Sequence, residues 1–322
     1  MGADATTMRY SHSEEDREGK HLDVLIDEEN GLRVVVSRLG AELISLARVD
    51  EKGMWTGFVY RDDDISTPSQ GWANHATVMG YYLHRLKNGR SLYRGREIKG
   101  GNHGFLRNKT WHFAGPSFQG TGASLEYRIT PADFSAEEYP LKVSVSLTYT
   151  VESNKVGVIF EFRNEEPELT AHVSFGLHPG FAATSFDSFH LQMPRGLYRR
   201  HLSPGNFLSG QTRDIEFPGG EMPFPRSELP GSFILELLDV PKRQFSFVDP
   251  PSGRWVTLDL ASVPYLTLWS DGGSFLCIEP CWGLTDHHQQ RAFEDKEGIQ
   301  KIAPGGVLQA LFSMTPELAS CD

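Results

Sequence analysis

Two side chains stand where an acid and a base can be held at fixed positions. Glu279 follows the apolar run Phe275-Leu276-Cys277-Ile278 and precedes Pro280. His178 follows Ser174-Phe175-Gly176-Leu177 and precedes Pro179. Short apolar runs bounded by turn formers mark core strands, and a residue before proline is held extended. Each side chain is therefore expected at a strand exit, with its direction fixed. A carboxylate and an imidazole held this way suit proton abstraction and donation, since modest environmental shifts bring both into a useful range. His103, in Asn102-His103-Gly104-Phe105-Leu106-Arg107, lies in a polar stretch suited to holding a ligand. The competing reading is structural, because ion pairs also hold buried acids.

Other chemistries fit less well. Asp286-His287-His288 has metal-ligand residue types, but three contiguous side chains diverge on a strand, so no metal site is expected there. A glycosidase needs two carboxylates about one bond; Glu279 has no evident partner unless Asp271 or Asp286 serves. A Gly-x-Ser-x-Gly nucleophile motif and a Walker loop are absent. The formal net charge of -11 argues against nucleic acid, which needs clustered cations, but not against a neutral sugar. Cys277, Cys281 and Cys321 make no disulfide framework, and an odd count fits a reducing compartment. No apolar run reaches membrane-span length, and the N-terminus lacks a secretory apolar region. Met1 to Thr6 matches the loose myristoylation pattern, with nothing basic after it as a second membrane signal. The expected compartment is the cytoplasm, with no membrane partner.

The elements that must position these groups are strands. Residues 1–20 are polar and expected to be a disordered tail. Strands are expected at Leu22 to Ile26, Leu32 to Val36, Ala41 to Leu46 and Met54 to Tyr60. Residues 61–110 are rich in Gly, Asn, His and Arg and read as a long loop-rich insert, a kind of segment that is often functional. From 123 strands return. Val143, Val145, Leu147, Tyr149 and Val151 alternate with Ser and Thr, which is strict period-two patterning. Ser153-Asn154 reads as a hairpin turn into Val156 to Phe162. Further strands are expected near 170–176, 188–193, 232–238, 243–248, 255–260, 264–269, 274–279 and 307–314, with 202–231 an extended connection. Many antiparallel strands with few or no long helices make an all-β sandwich or barrel. With no linker in sight, 21–318 reads as one domain.

The blocks Asn102-His103-Gly104-Phe105-Leu106-Arg107, Leu177-His178-Pro179-Gly180-Phe181, and Trp269 with Cys277-Ile278-Glu279-Pro280-Cys281-Trp282-Gly283-Leu284-Thr285-Asp286 resemble, in that order, the signature blocks of the aldose 1-epimerase (galactose mutarotase-like) family. The resemblance spans about 20 to 315 in layout. It implies a large antiparallel β-sandwich and a mutarotase, an isomerase that interconverts the anomers of a free aldose without a cofactor. It implies Glu279 as base, His178 as acid and His103 as a sugar-binding group. The family's arginine near the ring corresponds to Arg85 or Arg107. Trp269, Trp282 or Trp72 could stack on a pyranose, and Asp286 closes the last block as a further binding candidate. The aspartate that holds sugar hydroxyls in galactose-specific members has no match, and Cys281 stands where the nearest branch has an aromatic.

The expected partner is a monosaccharide, with the chain a monomer or homodimer. An alternative in the same class is a hexose-6-phosphate mutarotase, using cations from Arg85, Lys87, Arg90, Arg94, Arg96 and Arg107. A non-catalytic carbohydrate-binding module on the same fold is a second alternative.

Overall fold

A computed structural model describes residues 9–223 and 225–319. Every strand ladder among them is antiparallel, and the helical segments are short 3-10 turns. The core is a sandwich of two large sheets. The nine-stranded sheet runs, in spatial order, Gly220–Glu221, His190–Met193, Gln244–Asp249, Arg254–Asp259, Val307–Leu318, Lys155–Asn164, Val143–Glu152, Gly122–Ile129 and His112–Gln119. The seven-stranded sheet runs Thr212–Phe217, Gly196–His201, Phe233–Asp239, Tyr265–Trp269, Phe275–Trp282, Phe175–Ala182 and Ala76–Met79. Their facing side chains merge into one core. Phe162 of the larger sheet lies 4.5 Å from Phe175 of the smaller, which stacks on Trp282 at 5.2 Å. Trp282 is thus a core residue, not a sugar platform.

The period-two pattern of Val143–Glu152 is met residue by residue: odd positions are buried, and even ones are half-exposed up to Glu152, which is exposed. Phe175–Ala182 and Phe275–Trp282 are buried almost throughout because both lie inside the seven-stranded sheet. A strand covered on both faces has no solvent side to alternate toward.

A five-stranded meander precedes the sandwich, built from Tyr10–Arg17, Lys20–Asp27, Leu32–Ser37, Glu42–Val49 and Trp55–Gly57. Disorder over 1–20 is not what the structure has at Tyr10–Arg17. That segment pairs along its whole length with Lys20–Asp27. Its composition misled because an edge strand needs only backbone partners and tolerates polar side chains; His12 and Arg17 also reach Asp23 and Asp63. Residues 1–8 lie outside the described set.

The insert at 61–110 is mostly irregular but contributes the edge strand Ala76–Met79 and the hairpin Arg90–Tyr93 with Arg96–Lys99. The connection at 202–231 likewise hides Thr212–Phe217, whose alternation is masked by charge on both faces. No described helix is long and apolar enough to cross a membrane.

Candidate active site

The prolines do not end their strands. Both strands run through them, and what breaks is the ladder between them. Phe175 and Gly176 pair with Trp282 and Cys281, and Gly180, Phe181 and Ala182 pair with Cys277, Leu276 and Phe275. The pairing is absent over Leu177 to Pro179 and Ile278 to Pro280, where a residue without N–H removes ladder hydrogen bonds. The register on either side of the gap puts His178 opposite Glu279. Directly opposed residues project from the same face, so the two side chains meet. His178 Nε2 lies 3.2 Å from Glu279 Oε1. Each strand keeps its outer neighbour: Thr77 faces His178, and Thr267 faces Glu279. Local strand opening and tertiary anchoring thus coexist at one spot.

Above this pair lies a cavity of about 220 Å³. His103, Arg85, Arg107, Trp269 and Trp72 join His178 and Glu279 in its wall. His103 adopts a left-handed backbone (φ 63°) and is tied to the site by its N–H donating to the His84 carbonyl at 2.7 Å. Its ring stands edge-on to His178, centroids 5.1 Å apart. Desolvation, and after it the neighbouring His178 and His84, hold His103 well below the ordinary imidazole range. A neutral ring there can donate and accept hydrogen bonds without adding charge. Burial also lowers His178, against the pull of Glu279. The Nδ1 atoms of both rings meet no partner among the described residues.

Trp72 enters from the insert and stacks on the His178 ring at 5.0 Å, while Trp269 meets the same ring edge-on at 5.7 Å. Asp271 holds the Trp72 backbone N–H at 3.1 Å, so this acid orders a loop and lies outside the cavity wall. Gly180 makes the stack possible, since a Cβ there would come within 2.5 Å of the indole.

Sequence reasoning named both arginines, and both line the cavity. Arg107 is fixed by Asn74 Oδ1 at 3.1 Å. Neither guanidinium meets a carboxylate within ion-pair distance among the described residues, and Glu279 is the one acid in the wall. Others of the basic run are engaged elsewhere, Lys87 on the His288 carbonyl, Arg90 on Glu97 and Arg94 on the Thr170 carbonyl, and Arg96 is exposed outside the cavity wall.

Asp286 stands apart from this cavity. It is buried against Lys296, whose ammonium it pairs, and accepts the Lys87 N–H at 2.7 Å. A buried ammonium requires such a counter-charge, so the carboxylate is engaged in holding two loops together. Its neighbour Thr285 does reach the wall.

His84 is not among the residues that the sequence singles out. Its Nε2 lies 3.1 Å from Glu279 Oε2, opposite the oxygen that faces His178. Only its nearness in sequence to Arg85 could have flagged it. His84, Glu279 and Cys281 also form the one cluster of metal-type donors among the described residues, all within 4.8 Å of one another. Cys281 contributes from behind the wall, where burial pushes its thiol well above the usual range and keeps it protonated.

The chain has relatives of known fold. A sequence model of the family described as Aldose 1-epimerase matches residues 23–198. No curated protein matches. Among solved structures, a galactose mutarotase related enzyme from Lactobacillus acidophilus is similar over 97% of this chain and 99% of its own, with 22% identity and a TM-score of 0.81. A galactose mutarotase-like protein from Lactobacillus casei is 19% identical over 95% of this chain and all of its own, with a TM-score of 0.75. A galactose 1-epimerase from Lactobacillus acidophilus NCFM is 12% identical over 97% and 99%, with a TM-score of 0.72.

Proposed function

The chain belongs to the aldose 1-epimerase family, and on that footing we propose that it is a mutarotase that opens and recloses the ring of an aldose by acid–base catalysis. One observation carries the reading: His178 Nε2 and Glu279 Oε1 stand 3.2 Å apart at the floor of a cavity with no second carboxylate in its wall. Glu279 takes the proton of the C1 hydroxyl. The C1–O5 bond breaks as His178, protonated, gives its proton to the ring oxygen. An open aldehyde results. After rotation about C1–C2, His178 takes the proton back from the C5 hydroxyl as that oxygen attacks C1. Glu279 returns its proton to the carbonyl oxygen, and the other anomer forms. Each group ends as it began, so the cycle is balanced in protons and electrons. Holding both groups over one sugar supplies much of the acceleration. Neutral His103 and the two arginines orient hydroxyls, and Trp72 and Trp269 offer faces for the pyranose.

Polarimetry of freshly dissolved α-glucose and α-galactose tests the reading. Faster relaxation with wild type and its loss in Glu279→Gln are expected. Failure to accelerate any aldose would sink it. A single carboxylate leaves glycoside hydrolysis without its usual pair.

The two arginines without acidic partners favour a second reading of the same chemistry, in which the aldose carries a phosphate. A guanidinium pair suits such an anion. Comparing rates on glucose and glucose 6-phosphate decides between them. A binding module without catalysis would instead keep sugar affinity, measured by calorimetry, with no mutarotation in the wild type. We propose the cytoplasm as its compartment, a reading that the odd cysteine count of the sequence supports.

A further inference from the structure

Glu279 is 1% exposed and sits in a strand buried from end to end. A base in such a strand works only with one oxygen turned to the proton it takes. Something must hold the carboxylate aimed. His178 cannot be that group, since it is committed to the substrate in the reaction proposed above. Its approach to Oε1 is at ion-pair distance. The remaining oxygen, Oε2, is met by His84 at 3.1 Å.

The backbone is bent to deliver that contact. His84 has φ 52°, the left-handed region that a non-glycine residue seldom adopts. Its carbonyl is held there by the His103 N–H at 2.7 Å, and Leu83 just before it donates to Ser174 Oγ at 3.1 Å. A strained residue persists where surrounding contacts over-determine it, and such residues gather at functional sites. Because the same peptide also anchors His103, one local conformation sets two site histidines.

We propose that His84 is a positioning residue: its Nε2–H donates to Glu279 Oε2 and leaves Oε1 turned to the substrate. The inference rests on the mutarotase reading for its catalytic consequence but not for its structural one. The other groups around Glu279 work in different ways. On its own strand Cys277 and Cys281 are buried, protonated thiols. From the neighbouring strand comes His178, from the loop His103, and from the rim Arg107 and Arg85. Of these elements only the His84 turn bonds the second oxygen.

The test is NMR on the intact protein with nitrogen-15-labelled histidine, the His84 resonances being assigned by their loss in His84→Gln. A proton on Nε2 supports the proposal, and a ring protonated only at Nδ1 overturns it. In mutarotation His84→Ala lowers kcat by roughly a hundredfold, the scale of a misplaced group, with KM little changed, and His84→Gln, which keeps an N–H donor, recovers part. An unchanged kcat in His84→Ala, or equal losses in both variants, overturns the proposal. Should His84→Ala not fold, the nitrogen-15 shifts of wild-type His84 decide alone. If the wild type accelerates no aldose, the mutarotase reading falls, while those shifts still test His84.

Discussion

His178 and Glu279 are cross-strand partners in a ladder that two prolines have unzipped. Their strands pair on both sides of the gap, and Nε2 and Oε1 come within 3.2 Å inside it. The prolines free the backbone between the strands, while pairing with Thr77 and Thr267 on the outer sides keeps each strand in the sheet. The pair is therefore preorganised by the sheet itself rather than by mobile loops. Sites on rigid elements hold geometry more closely.

In the proposed reaction the two groups act as one unit, so their losses should not add. Glu279→Gln and His178→Asn are each expected to lower kcat by about 10²–10⁴, the usual contribution of a positioned acid or base. The double variant should lie near the worse single one. Rates measured by exchange NMR check this, and a double variant slower by the product of the two factors would contradict it.

The pH profile follows from the direction of the His178 shift. In the proposed reaction His178 must be protonated to serve the ring oxygen, and burial lowers its affinity for that proton. The descending limb of kcat/KM should therefore fall below the ordinary histidine value of about 6.5. Glu279 pulls the other way, so Glu279→Gln should move the imidazole midpoint lower still, as followed by NMR. A limb above the ordinary value would show that another group is the acid.

Trp72 depends on the bare backbone at Gly180. In Gly180→Ala the new methyl would lie 2.5 Å from the indole and 3.3 Å from Cys277 Sγ. The indole, on a half-exposed loop, is the part able to yield. Loss of its stack on His178 and weaker sugar binding are expected, with a stability change of about 1–3 kcal/mol, the range for overpacking. Calorimetry and thermal melting measure these, and unchanged KM and kcat would show that Trp72 plays no part.

Asp286 should behave as a stability residue. Asp286→Asn leaves Lys296 buried without its counter-charge, and breaking such a pair costs about 3–5 kcal/mol. Denaturant unfolding should show this loss. The loop it ties borders the cavity through Thr285, so activity per folded molecule should fall far less than in Glu279→Gln. A catalytic loss as large, with stability intact, would return Asp286 to the site.

How much was legible in the sequence differs by residue. The patterning of Val143–Glu152 and the apolar runs at 175–182 and 275–282 determined a β-sandwich, because side-chain period and burial are local properties of a strand. The blocks around His103, His178 and Glu279 pointed to the site, because each carries a reactive side chain in a distinctive local frame. The rest needed three dimensions. Pro179 and Pro280 looked like strand ends, since a lost N–H is local information, but whether it ends a strand or only opens one of its two ladders depends on which neighbours remain. Asp286 had the right type and the wrong direction, because a buried lysine ten residues on claimed it. His84 could not be chosen from twelve histidines: its contact with Glu279 joins residues 195 apart in the chain, and only the folded sheet brings them together.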